Sequence, residues 1–257
     1  MGCRLKRVQK TKPLKKIKEV DEIFENVNKA NRESDENPKS LRISIDTKSH
    51  LKLGEFSRNA KARDLEPKKA LNHDMKPSGS LVPFDILDVL SRELAIIFGT
   101  SNETSDFICD CLELWWEQNK KKYAHITQLV INLDNGPQLA SNRTQFIRRM
   151  VEFSKKAGIE IRLVYYPPYH SKYNPIERCW EILENHWNGG LLDSISKAVG
   201  WAGSMTWKGI KPVVHVLEKV YGTAVSLTKK ELKPYLSKLK RSLTLPKLDV
   251  CINSINR

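Results

Sequence analysis

Apolar and polar positions first fall into a regular order at residues 41–46, LRISID. Leu41, Ile43 and Ile45 alternate with polar neighbours at the two-residue period of a half-buried strand that ends on Asp46. Ahead of it, residues 1–40 place eight Lys/Arg before Glu19 and continue as KANRESDENPKS, with few apolar positions beyond Val20, Ile23, Phe24 and Val27. This composition predicts a basic arm and linker. Residues 48–80 read as loop, with a PSGS turn and a short strand at LKLGEF. LVPFDILDV and LAIIFGT then predict two strands joined as a hairpin.

The period changes in TSNETSDFICDCLELWWEQNKKK. Phe107, Ile108, Cys111, Leu112 and Trp115 share one helical face, and Thr100 with Glu103 has capping-box spacing. TQLVINLD (127–134) predicts a buried strand ending on Asp134. NRTQFIRRMVEFSKKAG predicts a helix with Phe146, Ile147, Met150 and Val151 inward and Gly158 at its end. A further strand, IEIRLVYY, runs into Pro167 and Pro168. Pro175 then suits the first turn of a helix carrying Ile176, Trp180, Leu183 and Trp187 at helical spacing, with Glu177 in that turn. KPVVHVLEKVYG and TKKELKPYLSKLKRS read as further helices. Strands alternating with helices in this order predict an α/β fold with a mixed sheet. The expected organisation is a basic arm and linker over 1–40, a catalytic domain over 41–200 and a helical, basic extension over 201–257.

Charge narrows the partners. Forty-four Lys+Arg against 30 Asp+Glu leave a net +14, which favours a polyanion such as nucleic acid over an acidic protein or a neutral metabolite. Five scattered cysteines with no CxxC pair fit neither a disulfide framework nor a zinc site, so a reducing, cytoplasmic setting is expected. No apolar run approaches the ~20 residues of a membrane span.

Three carboxylates stand at element ends: Asp46 and Asp134 closing strands, Glu177 opening a helix. Acids at the carboxyl ends of strands in an open α/β sheet border one crevice, and a cluster of hard oxygen donors suits two divalent ions acting on a phosphodiester. Each also has a plainer role. Asp46 can begin a turn, Asp134-Asn135-Gly136-Pro137 is a turn signature, and Asn174 to Glu177 has the spacing of a helix cap and its partner.

Taken together, LVINLDNGPQ and VYYPPYHSKYNPIERCWEILENHW resemble the second and third acidic motifs of DDE transposases. The likeness is greatest to the ISAzo group of bacterial insertion sequences, through RISIDTK, LVPFDILDV, FGTSNETSDF, WWEQN, ENHWNGGLLDS and GWAGSMTWKG. It runs from about residue 4 to 240. The resemblance implies an RNase H-like fold and two Mg2+ (or Mn2+) ions held by Asp46, Asp134 and Glu177. The implied reaction is hydrolysis at transposon ends followed by attack of the freed 3′-hydroxyl on target DNA.

Glu177 lies 43 residues after Asp134, more than the thirty-odd of the mariner type. Glu181, one turn further on, is the rival third ligand. Arg178, Lys172 and His170 are candidate DNA contacts beside the acids, and Arg4, Lys6 and Arg7 in the arm can bind phosphates without sequence preference. For each, a solvated loop or helix-surface ion pair is the plain alternative. Trp115, Trp116, Trp180 and Trp187 read as packing residues rather than base-stacking platforms. Expected partners are DNA, further copies of the chain when two ends are synapsed, and a separate DNA-binding polypeptide, because the upstream helix-turn-helix region of full-length members is not legible here. The alternative function is a truncated, noncatalytic DNA-binding or regulatory remnant.

Overall fold

The alternating run that ends near Asp46 forms the centre of a sheet. The computed structural model describes residues 19–58, 65, 66, 68–71 and 76–253, so Arg4, Lys6 and Arg7 lie outside the described residues. The strands are β1 (Ser40–Thr47), β2 (Leu51–Leu53), β3 (Gly79–Asp88), β4 (Leu94–Gly99), β5 (Gln128–Leu133), β6 (Glu160–Tyr165), β7 (Val213–Leu217), β8 (Leu239–Arg241) and β9 (Asp249–Ile252). The order across the sheet is β7-β4-β3-β1-β5-β6-β9-β8, with β2 paired to β3. β3 runs antiparallel to β1 and β4, whereas β1, β5 and β6 are mutually parallel. Parallel pairing needs crossovers, and the helices supply them.

Those helices are α1 (Val20–Asp35), α2 (Ser105–Asn119), α3 (Thr144–Ala157), α4 (Ile176–Trp187), α5 (Ile195–Ser204) and α6 (Lys229–Leu236). The odd-numbered residues of β1 and β5 (Leu41, Ile43, Ile45; Leu129, Ile131, Leu133) join Phe107, Ile108 and Leu112 of α2 and Phe146 and Met150 of α3 in one core. On the other face, Ile176, Trp180, Leu183 and Trp187 of α4 pack with α5 against Leu81, Leu87, Ile96 and Phe98. Trp180 and Trp187 are among the largest fully buried side chains, and truncating either to Ala costs about 3–5 kcal/mol. All four tryptophans singled out in the sequence are buried, as packing residues.

Several local expectations change. Residues 20–35 are helix, not linker: Ile23, Val27 and Ala30, spaced four and three apart, pack on Val130, Val164 and Tyr166. Arg42 grips Asp35 with two bonds of 2.7 Å, fixing the end of α1 to β1. The described part of the expected helical extension, residues 201–253, is mixed rather than helical. KPVVHVLEKVYG yields β7, whose Val-rich stretch pairs parallel to β4, and β9 pairs with β6 at the other side. The cap of α2 is Thr104, whose hydroxyl accepts from Phe107 N at 3.2 Å. Glu103 instead accepts from Thr47, and Thr100 N bonds Leu217 O. Gly158 does end α3, in the left-handed region at φ 70°. No helix among the described residues is long and apolar enough to cross a membrane.

Candidate active site

Sheet register brings two of the three acids side by side. The parallel β1–β5 ladder ends on the pair Ser44–Asn132, two residues before Asp46 and Asp134, and the charge of Asp134 acts on Asp46. Even-numbered residues of both strands point away from the α2–α3 core, toward the face carrying α1 and α4. Glu177, in the first turn of α4, completes the group from the helix side.

The electrostatics record that proximity. Burial holds the Asp46 carboxyl well above its ordinary value, and the charges of Asp134 and then Glu177 push it further. Burial also raises Asp134; the Gly136 N–H, 3.2 Å from Asp134 Oδ1, works against this and Glu177 works with it. Asp134 therefore does make the turn its sequence announces, while one carboxylate oxygen stays outside that bond. Asp46, Asp134 and Glu177 enter no ion pair among the described residues. They stand within electrostatic reach rather than ligating contact: among the described residues no group of three or more His, Cys, Asp or Glu is spaced to hold a metal ion.

The start of α4 is tied down from outside the helix. No side chain of its own caps it. Asn174, the expected cap, is buried and faces the sheet, donating through Nδ2 to Ile45 O at 3.1 Å and accepting from Ser44 Oγ. Ser44 Oγ in turn accepts from Ile176 N at 3.3 Å. The capping-box alternative for Glu177 is therefore not realised. Glu177 is the α4 carboxylate whose charge reaches both Asp46 and Asp134, while Glu181 lies exposed further along the same wall.

An open cleft runs beside the acids, lined by Lys48, Lys172, Glu177, Arg178, Glu181 and Glu184. Arg178 is exposed on it. The Glu184 carboxylate that might have paired with Arg178 binds Arg58 at 3.2 Å. His170 bonds Pro168 O through Nδ1 at 2.9 Å and stacks on Tyr173, and both rings meet Phe24 of α1 edge-on. The loop before α4 is thus braced, with Lys172 exposed above the Tyr173 ring.

Two residues near the site were not foreseen. Lys48, two positions after Asp46, lies over the Trp180 ring and its charge partly offsets the strain on Asp46. Asp85 is fully buried on β3 directly across from Asp46, with no hydrogen-bond partner for either oxygen among the described residues. Burial, then Asp46, raise its carboxyl well above the ordinary range. An Asp in the middle of the apolar run LVPFDILDV was the available signal.

Comparison with known proteins gives the fold and the family. A search of curated proteins returns no match. Among solved structures the chain is similar to a Mos1 mariner paired-end complex with Mn, at 9% identity and TM-score 0.52, covering 77% of this chain and 58% of that one. It is also similar to a Mos1 paired-end complex with the left transposon end and to the Mos1 strand transfer complex. Each has 9% identity and TM-score 0.51, with 77% of this chain and 57% of that one covered. The chain therefore spans less than two thirds of the length of those transposases, and at this identity the likeness establishes the RNase H-like fold. The family model described as the Rhodopirellula transposase DDE domain matches residues 1–254. A chain matched over nearly its whole length by that model, folded around a mixed sheet with acids at the ends of β1 and β5 and the start of α4, belongs to the DDE transposase family.

Proposed function

We propose that this protein cuts DNA at transposon ends and transfers the freed 3′-hydroxyl to target DNA, using Asp46, Asp134 and Glu177 to hold two divalent ions, Mg2+ or Mn2+. One observation carries the reading: carboxylates from three separate elements lie within electrostatic reach of one another, none in an ion pair among the described residues and with only Lys48 partly offsetting Asp46. The donor set fits hard divalent ions: all three donors are oxygen, and burial together with the neighbouring acids holds Asp46 and Asp134 above their ordinary values, which a bound cation relieves. Such ions supply charge stabilisation to the attacking and leaving oxygens of an in-line displacement. The chain's own residues do the rest. Asp46 and Asp134 offer oxygens from rigid strand ends, and Glu177 closes the set from the helix. Lys48, Lys172 and Arg178 line the cleft where the phosphodiester backbone lies.

The chemistry falls within 41–200 in this reading, with 201–257 completing both sides of the sheet and the basic arm adding phosphate contacts. DNA is the substrate at both steps. Copies of the chain pair to hold two ends, and a separate DNA-binding polypeptide can supply recognition of the terminal repeats. One observation favours a second reading, a noncatalytic remnant that binds DNA and modulates a full-length transposase: the three acids do not stand at metal-holding spacing.

Incubating the purified protein with duplexes carrying the element's terminal repeats in Mg2+ or Mn2+ separates the two. The first reading expects nicked and joined products that Asp134→Asn abolishes. Products that persist in Asp134→Asn contradict it, and DNA binding without cleavage under either metal supports the remnant.

A further inference from the structure

The buried link between β1 and the start of α4 has a consequence for the acids on either side of it. Ser44 and Asn174 are both polar and almost wholly buried, 0% and 1% exposed, between the sheet and the start of α4. Placing them there costs desolvation unless each polar atom finds a partner, and each does. The Ser44 hydroxyl donates to Asn174 Oδ1 and accepts from Ile176 N, while Asn174 Nδ2 donates to Ile45 O. The strand hydroxyl thereby takes the place of the N-cap that α4 lacks.

The position of this link is specific. Ser44 precedes Asp46 by two residues on the same strand face, and Ile176 immediately precedes Glu177. One network of Ser44, Ile45, Asn174 and Ile176 therefore joins the backbone beside the strand carboxylate to the backbone beside the helix carboxylate. Apolar contacts made by Ile176, Trp180 and Leu183 hold α4 on the sheet, but packing of that kind tolerates sliding and rotation that directional bonds do not.

We infer that Ser44 and Asn174 are positioning residues, which set the separation and angle between Asp46 and Glu177 and so the affinity of the site for a divalent ion. The inference rests on the reading of those acids as a metal site. Outer-shell partners of this kind change metal affinity by about 10- to 100-fold when removed.

Mn2+ binding to the 257-residue chain without DNA, followed by the paramagnetic resonance of free Mn2+, tests it. Ser44→Ala is expected to weaken Mn2+ binding at least about tenfold, and Ser44→Thr, which keeps the hydroxyl, to restore most of it. Leu183→Ala supplies the control, since it loosens the packing of α4 without touching the network. It should lower the unfolding midpoint as much as Ser44→Ala or more and leave Mn2+ affinity near that of the parent. Unchanged affinity in Ser44→Ala overturns the inference, as does an equal loss in Leu183→Ala. Should Ser44→Ala fail to fold, Asn174→Ala is read against the same control. If the parent binds no Mn2+, or Asp134→Asn binds it as the parent does, the metal-site reading itself fails and the inference falls with it.

Discussion

Two acidic clusters lie on opposite faces of the same sheet, and they are built to opposite plans. Between α2 and α3, Asp106, Asp110 and Glu113 surround Arg149 at 2.7, 2.6 and 3.0 Å, with Lys156 on Glu113 and Lys219 and Tyr221 on Asp110. Burial acts to raise the Asp110 carboxyl, but the hydrogen bonds from Arg149, Lys219 and Tyr221 outweigh it and leave it below its ordinary value. Across the sheet, Asp46, Asp85 and Asp134 are all displaced upward, and no described cation pairs with any of them. The first cluster brings its own counter-charge and is complete as a structural clamp. The second is an acidic cluster left open, which is what a site for an external cation requires.

The largest separation between the two should appear in activity. Glu177→Gln is expected to reduce DNA cleavage to background, whereas Glu113→Gln in the clamp leaves the rate within a few-fold of the parent. Glu181→Gln should behave like the clamp variant, and a loss there equal to that of Glu177→Gln would move the third ligand one turn along α4. Gel assays of strand nicking measure all three.

Stability should separate them in the other direction. Arg149→Ala removes the cation shared by three largely shielded carboxylates, of which Asp110 keeps Lys219 and Glu113 keeps Lys156, and is expected to cost about 2–3 kcal/mol by denaturant unfolding. Asp85→Asn is expected to cost nothing at neutral pH and to stabilise the metal-free protein there. The sign follows from proton binding. A folded-state pKa raised above the ordinary 3.8 means that the native protein holds a proton the unfolded chain has released, so stability falls as pH rises from 3.8 toward the raised value. Asp110 acts oppositely, contributing stability that is present at neutral pH and lost on acidification. With a chelator present, the advantage of Asp85→Asn over its parent should therefore grow as pH rises above the ordinary 3.8. An advantage that shrinks with that rise contradicts the assignment of Asp85 as an unpaired buried acid.

The smallest expected effect concerns the cleft wall. Lys172→Ala should weaken binding to any duplex a few-fold and lower the salt slope of binding by about 0.9, the share of one phosphate contact. Fluorescence anisotropy over a salt series reports both quantities.

What the sequence disclosed about these two regions differs for a physical reason. Strand ends and helix registers are local patterns, from the alternation of β1 to the short apolar runs of β4 and β5, so Asp46, Asp134 and Glu177 could be marked as acids at element ends, and the resemblance to the DDE motifs joined them as a set. The α2–α3 packing was legible in the same way, from Phe107, Leu112, Phe146 and Met150. Features made by distant pairing were not. Ser44 and Asn174 are 130 residues apart, and nothing near either one announces the bond between them. β7 and β9 owe their state to the strands beside them, β4 and β6, and tertiary pairing overrode the helical pattern read in KPVVHVLEKVYG. α1 was hidden because its buried stripe is narrow, three small or medium side chains within a polar run.

The claim that the open acidic cluster awaits a divalent cation is tested most directly by thermal unfolding of the DNA-free protein across a Mn2+ titration. The parent is compared with the Asp46→Asn/Asp134→Asn double variant. Binding to the native state alone predicts a rising midpoint in the parent, reaching about 2.7 kcal/mol of added stability at a hundred times the dissociation constant, and no such rise in the double variant. A parent indifferent to Mn2+, or a double variant stabilised equally, would contradict the account.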